Sequence, residues 1–200
     1  MKTIIGTKAD VAKELTAQVA AVLASKPEAN IAISAVDLPA EVLDALAASD
    51  IAFDRATLFQ ACEYCGAAGK GAHAVGTAFS PLTAAKPFAA VHAPDPDADA
   101  EHAADYDAAI QAAGGLDLVI LGLGERGHVA FNEPGAGFGE KTHIAKLAEV
   151  TREAIAADFG TLDGIYEHID DERIKKGVRA KLQADEQGAR DSYWLPPPPP

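Results

Sequence analysis

Apolar positions in the first quarter of the chain follow two spacings. Val11, Leu15, Val19 and Val22 recur at helical intervals behind Thr7, a residue type that caps helices, and Pro27 stops the run. This predicts a helix over about 8–24. Residues 30–35 (NIAISA) are short, branched and apolar, and predict a strand. Pro39 suits the first turn of a second helix over 40–48, and Ile51-Ala52-Phe53 reads as another strand. The period is lost between Arg55 and Ser80. Gly66, Gly69, Gly71 and Gly76 cluster there, so loop with short pieces is expected.

The later chain resumes the alternation. Residues 86–92 (KPFAAVH) predict a strand, 93–97 a turn-rich connector, and 99–113 a helix with an acidic, solvated face. Residues 116–121 (LDLVIL) are apolar, branched and stopped by glycine, which predicts a buried strand. Residues 142–147 read as one more strand, and 149–159 and 171–187 as helices. Strands alternating with helices imply a three-layer, Rossmann-like α/β domain with a mainly parallel sheet. Residues 1–190 are read as that single domain. Residues 191–200, closing on Pro196 to Pro200, are read as a disordered tail.

Composition narrows the picture. Hydrophobic residues make up 48% of the 200, but 44 residues are alanine. The core is therefore built from small side chains, and each buried methylene contributes only about 0.8 kcal/mol. The formal charge is −13, which argues against nucleic acid as a partner. It leaves room for a small phosphorylated metabolite, which needs only local cations and backbone N–H groups. No apolar run reaches the length of a membrane span, and the first residues lack the apolar stretch of a signal peptide. With two cysteines, a reduced, cytoplasmic protein is expected.

The segment after the 116–121 strand carries the chemistry. It reads Gly122-Leu123-Gly124-Glu125-Arg126-Gly127-His128-Val129-Ala130-Phe131-Asn132-Glu133-Pro134-Gly135. Gly122, Gly124 and Gly127 match the G-x-G-x-x-G spacing of a dinucleotide turn, but Pro134-Gly135 interrupts the helix that should follow. In the other reading the loop is catalytic. Its glycines admit a ligand, His128 supplies an imidazole, the side-chain type suited to proton transfer near neutral pH, and Glu133 orients it. No serine or cysteine lies nearby as a nucleophile, so proton shuttling is the role that fits.

Elsewhere, Cys62-Glu63-Tyr64-Cys65 is a C-x-x-C. His73 and His92 lack the spacing that would complete a zinc site, and two reduced cysteines are expected. The acidic run 95–101 lacks the glycine and spaced ligands of a calcium loop.

The string LGLGERGHVAFNEPG resembles the signature of the glucosamine-6-phosphate deaminase (isomerase) family. Thr142-His143-Ile144 and Glu149 to Ala154 resemble its continuation. Thr57 to Tyr64 stands where the family has an aspartate-glutamate-tyrosine strand end. The resemblance implies a sugar-phosphate substrate, conversion of glucosamine 6-phosphate to fructose 6-phosphate and ammonia, and no cofactor or metal. It leaves a homo-oligomer open. It makes His128 the ring-opening acid/base and Glu133 its partner, with Gly124, Gly127, Asn132 and His143 at the substrate. The chain also departs from the pattern. Cys62 takes the place of the proton-transferring aspartate, and Arg126 that of an acidic or amide residue. The turn at Ser34 to Pro39 carries Asp37 where a phosphate loop is rich in glycine and threonine. Two alternatives therefore stand beside an active deaminase. One is a catalytically silent homologue that binds a sugar phosphate or a protein partner. The other is a dinucleotide-binding oxidoreductase.

Overall fold

A computed structural model of the chain describes residues 3–64, 74–97, 103–124, 127–133, 141–145, 147–148 and 151. Within them the order is α1 (Lys8–Ser25), β1 (Asn30–Ile33), α2 (Ala40–Ala48), β2 (Thr57–Gln60), α3 (Ala74–Ala78), α4 (Ser80–Ala85), β3 (Ala90–His92), α5 (Ala103–Ala112) and β4 (Leu118–Ile120). The four strands form one parallel sheet in the order β3-β2-β1-β4. The predicted Rossmann-like α/β architecture is what the chain adopts.

Local chemistry starts the first helix where its spacing predicts. Thr7 and Asp10 form a reciprocal capping box, with the Thr7 hydroxyl accepting from the Asp10 amide and Asp10 accepting from the Thr7 amide. Those bonds hold the Asp10 carboxyl below its ordinary range. Strand side chains alternate between faces, and the register places Ile31 beside Leu58 and Leu118. Ile31, Ile33, Leu58 and Ile120 share one cluster with Val19 and Leu23 of α1, Leu46 of α2 and Leu82 of α4. Burying a large aliphatic side chain of this kind is worth about 1.5–3 kcal/mol. On the other face Phe59 stacks on His92, centroids 4.8 Å apart, and meets the Tyr106 ring of α5 edge-on. The Tyr106 hydroxyl donates to the carbonyls of Gln60 and His92. Burial foremost, with the nearby Cys62 thiol, pushes its ionisation well above the usual tyrosine range.

The amino-terminal ends of β1 and β4 are tied together. The Asn30 side-chain amide donates to the carbonyls of Ala113 and Gly115, at 2.7 and 2.8 Å. The Asp117 carboxylate accepts from the Asn30 backbone and from Lys26, each at 2.8 Å. These bonds hold the Asp117 carboxyl below the ordinary carboxylate range.

Three expectations are corrected. Ile51 to Phe53 is not a strand. Phe53 is apolar because it packs on Phe88, centroids 4.9 Å apart, just before the chain enters β2 at Thr57. The 116–121 strand is regular only over Leu118–Ile120, and it is an edge strand among the described residues, with Val119 47% exposed. Residues 142–145 and 147 form no strand. Thr142 is bonded instead to Asp107 of α5, whose carboxylate accepts from the Thr142 amide and hydroxyl. The helix expected at 149–159, apart from Thr151, the helix expected at 171–187, the 191–200 tail, Arg126, Cys65 and His73 lie outside the described residues.

Candidate active site

In the order β3-β2-β1-β4 the chain builds outward from β1 on one side and then crosses to β4 on the other. The turns after β1 and β4 therefore diverge at the switch point of the sheet, where open parallel sheets receive ligands. His128 and Asp37 meet there.

The segment after β4 folds back on itself as a tight hairpin. Antiparallel bridges join Leu123 to Val129 and Val129 to Asn132, the Gly124 amide donates to the His128 carbonyl, and the Gly127 amide donates to the Gly124 carbonyl. This hairpin stands where a dinucleotide turn would open a helix, so the glycine spacing has another cause. Phe131 anchors the hairpin inward by packing on Tyr64, centroids 4.7 Å apart. His128 is buried at 7% exposure. Its Nε2–H donates to Asp37 Oδ2 at 2.8 Å, and the Asp37 side chain is about one-third open to solvent.

The carboxylate on the imidazole is thus Asp37, not the expected Glu133. Glu133 Oε1 accepts from the Ala148 amide at 3.1 Å. Its Oε2 is buried and unpartnered, as are His128 Nδ1 and Thr151 Oγ1. The signal in the sequence was an acid at the end of a strand, in a turn otherwise apolar.

The other predicted residues divide. Gly124 is buried against the imidazole, where a Cβ would come within 2.1 Å of the ring. Gly127 and Asn132 are exposed on the same hairpin, and His143 is exposed, its Nδ1–H donating to the Lys141 carbonyl. Cys62 lies buried beyond the end of β2, its Sγ 3.6 Å from Ser34 Oγ. Burial, with smaller contributions from the Glu63 and Asp37 charges, pushes the Cys62 thiol up to about 11. At pH 7 only about one such thiol in ten thousand is a thiolate.

Sequence reasoning assigned no role to Glu63. Its buried carboxylate accepts from the amides of Tyr64, Val75 and Gly76 and from the Gln60 side chain, all at 2.9–3.0 Å. It fixes the end of β2 to the start of α3. Among the described residues no group of three or more His, Cys, Asp or Glu is gathered as a metal site, and no helix is long and apolar enough to cross a membrane. An apolar groove of about 520 Å³ opens at the opposite, amino-terminal end of the strands, between Leu23, Pro27, Ile51 and Arg55, away from this chemistry.

A parallel Rossmann-like sheet with a Gly-His hairpin at its switch point defines an α/β protein that receives its ligand at the carboxyl ends of the strands. Residues 6–151 match the family described as glucosamine-6-phosphate isomerases/6-phosphogluconolactonase, and the chain belongs to it. It is 35% identical over 175 residues to the glucosamine-6-phosphate deaminase of Pseudarthrobacter chlorophenolicus, covering 83% of this chain and 67% of that one. Over 81 residues it is 44% identical to the deaminase of Halalkalibacterium halodurans, covering 40% of this chain and 31% of the relative. A solved monomeric glucosamine-6-phosphate deaminase shares the fold at TM-score 0.69 and 23% identity, covering 82% of this chain and 73% of that one.

Proposed function

We propose that this chain converts glucosamine 6-phosphate and water to fructose 6-phosphate and ammonia. The observation that carries this reading is the buried His128, held through Nε2 by a carboxylate and left with an unpartnered Nδ1. A neutral imidazole protonated at Nε2 has its lone pair at Nδ1. Once the chain covering the buried Nδ1 parts to admit the sugar, that atom is suited to take the proton of the C1 hydroxyl and return it to the ring oxygen, which opens the ring. A proton then moves from C2 to C1 and another from the amine to O1, giving an imine at C2 and a hydroxyl at C1. Water adds to that carbon and ammonia leaves. The family assignment and the deaminase relatives at 35–44% identity support the substrate class. The protonated Cys62 thiol is a poor base for the C2 proton, so slow turnover is expected.

The test is ammonia release from glucosamine 6-phosphate by the full chain, with the ketose phosphate measured in parallel. Equimolar products, and a loss of roughly 100-fold or more in His128→Gln with an unchanged circular dichroism spectrum, are expected. Absence of ammonia from the wild type, or full activity in His128→Gln, overturns the reading.

A further inference from the structure

We infer that Asp37 is the positioning residue of His128, and that the two glycines at the end of β4 exist to let the turn after β1 and the imidazole close on each other. This rests on the proposed reaction for its kinetic consequence but not for its structural one.

Three independent features converge. Asp37 Oδ2 accepts from His128 Nε2 at 2.8 Å, across a separation of 91 residues. Such a bond selects the Nε2–H tautomer and leaves the lone pair at Nδ1, the ring nitrogen without a partner. Asp37 also holds a left-handed backbone, φ 56°, a region that Asp and Asn tolerate better than most residues. The turn thus carries backbone strain at the residue that reaches the imidazole. Finally, a Cβ on Gly122 would lie 2.3 Å from the Asp37 carbonyl carbon, and one on Gly124 would lie 2.1 Å from His128 Cε1 and Nε2. One glycine accommodates the turn that bears the carboxylate, and the other accommodates the ring it holds. The Gly122-Leu123-Gly124 spacing is explained by this closure, with no pyrophosphate required.

The proposal separates the two carboxylates that the sequence offers. Glu133 braces the 147–148 segment through the Ala148 amide. Asp37 sets the direction of the imidazole.

The experiment is long-range ¹H–¹⁵N NMR of the full chain at pH 8.5, where an ordinary imidazole is neutral. The His128 signals are assigned by their loss in His128→Gln. In the wild type His128 is expected as a single tautomer, protonated at Nε2. Asp37→Gly suits the positive φ and removes the carboxylate, so it should fold and show mixed tautomers. Asp37→Asn keeps a side-chain oxygen acceptor and should retain the Nε2–H form. On glucosamine 6-phosphate, Asp37→Gly should lose roughly 10–100-fold in kcat with KM within about 3-fold, and Asp37→Asn should recover part of that loss.

An unchanged tautomer in Asp37→Gly overturns the proposal. So does a fall in KM at constant kcat, because Asp37 would then be repelling an anion and not holding a ring. If the wild type releases no ammonia, the amino-sugar reading fails by itself, and the tautomer still decides the role of Asp37.

Discussion

Gly122 lies so close to Asp37 that any side chain on it would collide with backbone: 2.3 Å to the Asp37 carbonyl carbon and 2.4 Å to the Val36 oxygen. Backbone cannot swing aside as a side chain can. Gly122→Ala should therefore displace the turn after β1 and destabilise the protein by about 1–3 kcal/mol, read from urea unfolding. Gly124→Ala meets the His128 ring, which can rotate away only by breaking its bond to Asp37. Its stability loss should be smaller, about 1 kcal/mol, and its loss of turnover larger than that of Gly122→Ala. Wild-type turnover in Gly124→Ala would show that ring placement does not matter.

Glu63 should prove a pillar of the fold. Its carboxylate is 6% exposed and accepts four hydrogen bonds from β2, the residue beyond it and the start of α3. Glu63→Ala strips three backbone amides of their acceptor, at roughly 1–3 kcal/mol for each group left buried and unmet. Water entering the space recovers part of that, and a net loss of about 3–5 kcal/mol is expected. Glu63→Gln replaces one acceptor oxygen by a donor and should cost about half as much. A loss below about 1 kcal/mol for Glu63→Ala, by urea unfolding, would contradict this.

Cys62 links stability to alkaline pH. Burial raises its thiol from an ordinary 9.0 to about 11 in the folded protein. Between those values the unfolded chain has already released the proton while the folded chain keeps it. The unfolded state therefore binds fewer protons, and stability falls as pH rises. The contribution is intact below about pH 9 and is lost progressively toward 11, at no more than about 1.4 kcal/mol per pH unit. Unfolding measured at pH 8 and pH 10.5 should show a smaller decline in Cys62→Ala than in the wild type. Equal declines in the two proteins would refute the link.

Helices α1, α2 and α5 and most strands were legible because their signals are local, whereas the short helices α3 and α4 were not anticipated. Thr7 as a cap, the spacing from Val11 to Val22, and Pro39 before a short apolar run placed α1 and α2 almost residue for residue. β2 was missed because four residues followed by a glycine-rich stretch give no period to read. Ile51 to Phe53 was misread because Phe53 is apolar for a ring contact and not for a strand face. Among the described residues β4 stands at the edge of the sheet, and an edge strand and a central one can share the same apolar run. The His128 hairpin was visible as a motif. Its partner was not, because the motif offered a nearby carboxylate in Glu133 and the one that binds is 91 residues away. Such a pairing is decided by which strands neighbour each other, and only the sheet order reveals that.

Asn30 and Asp117 clamp the far end of the same two strands whose near ends carry Asp37 and His128. With their roots fastened, β1 and β4 cannot easily slide or splay. Any change in the distance between the imidazole and its carboxylate is then left to the two connecting bends. The sheet acts as an anvil, and the moving pieces are short enough to be probed one peptide bond at a time.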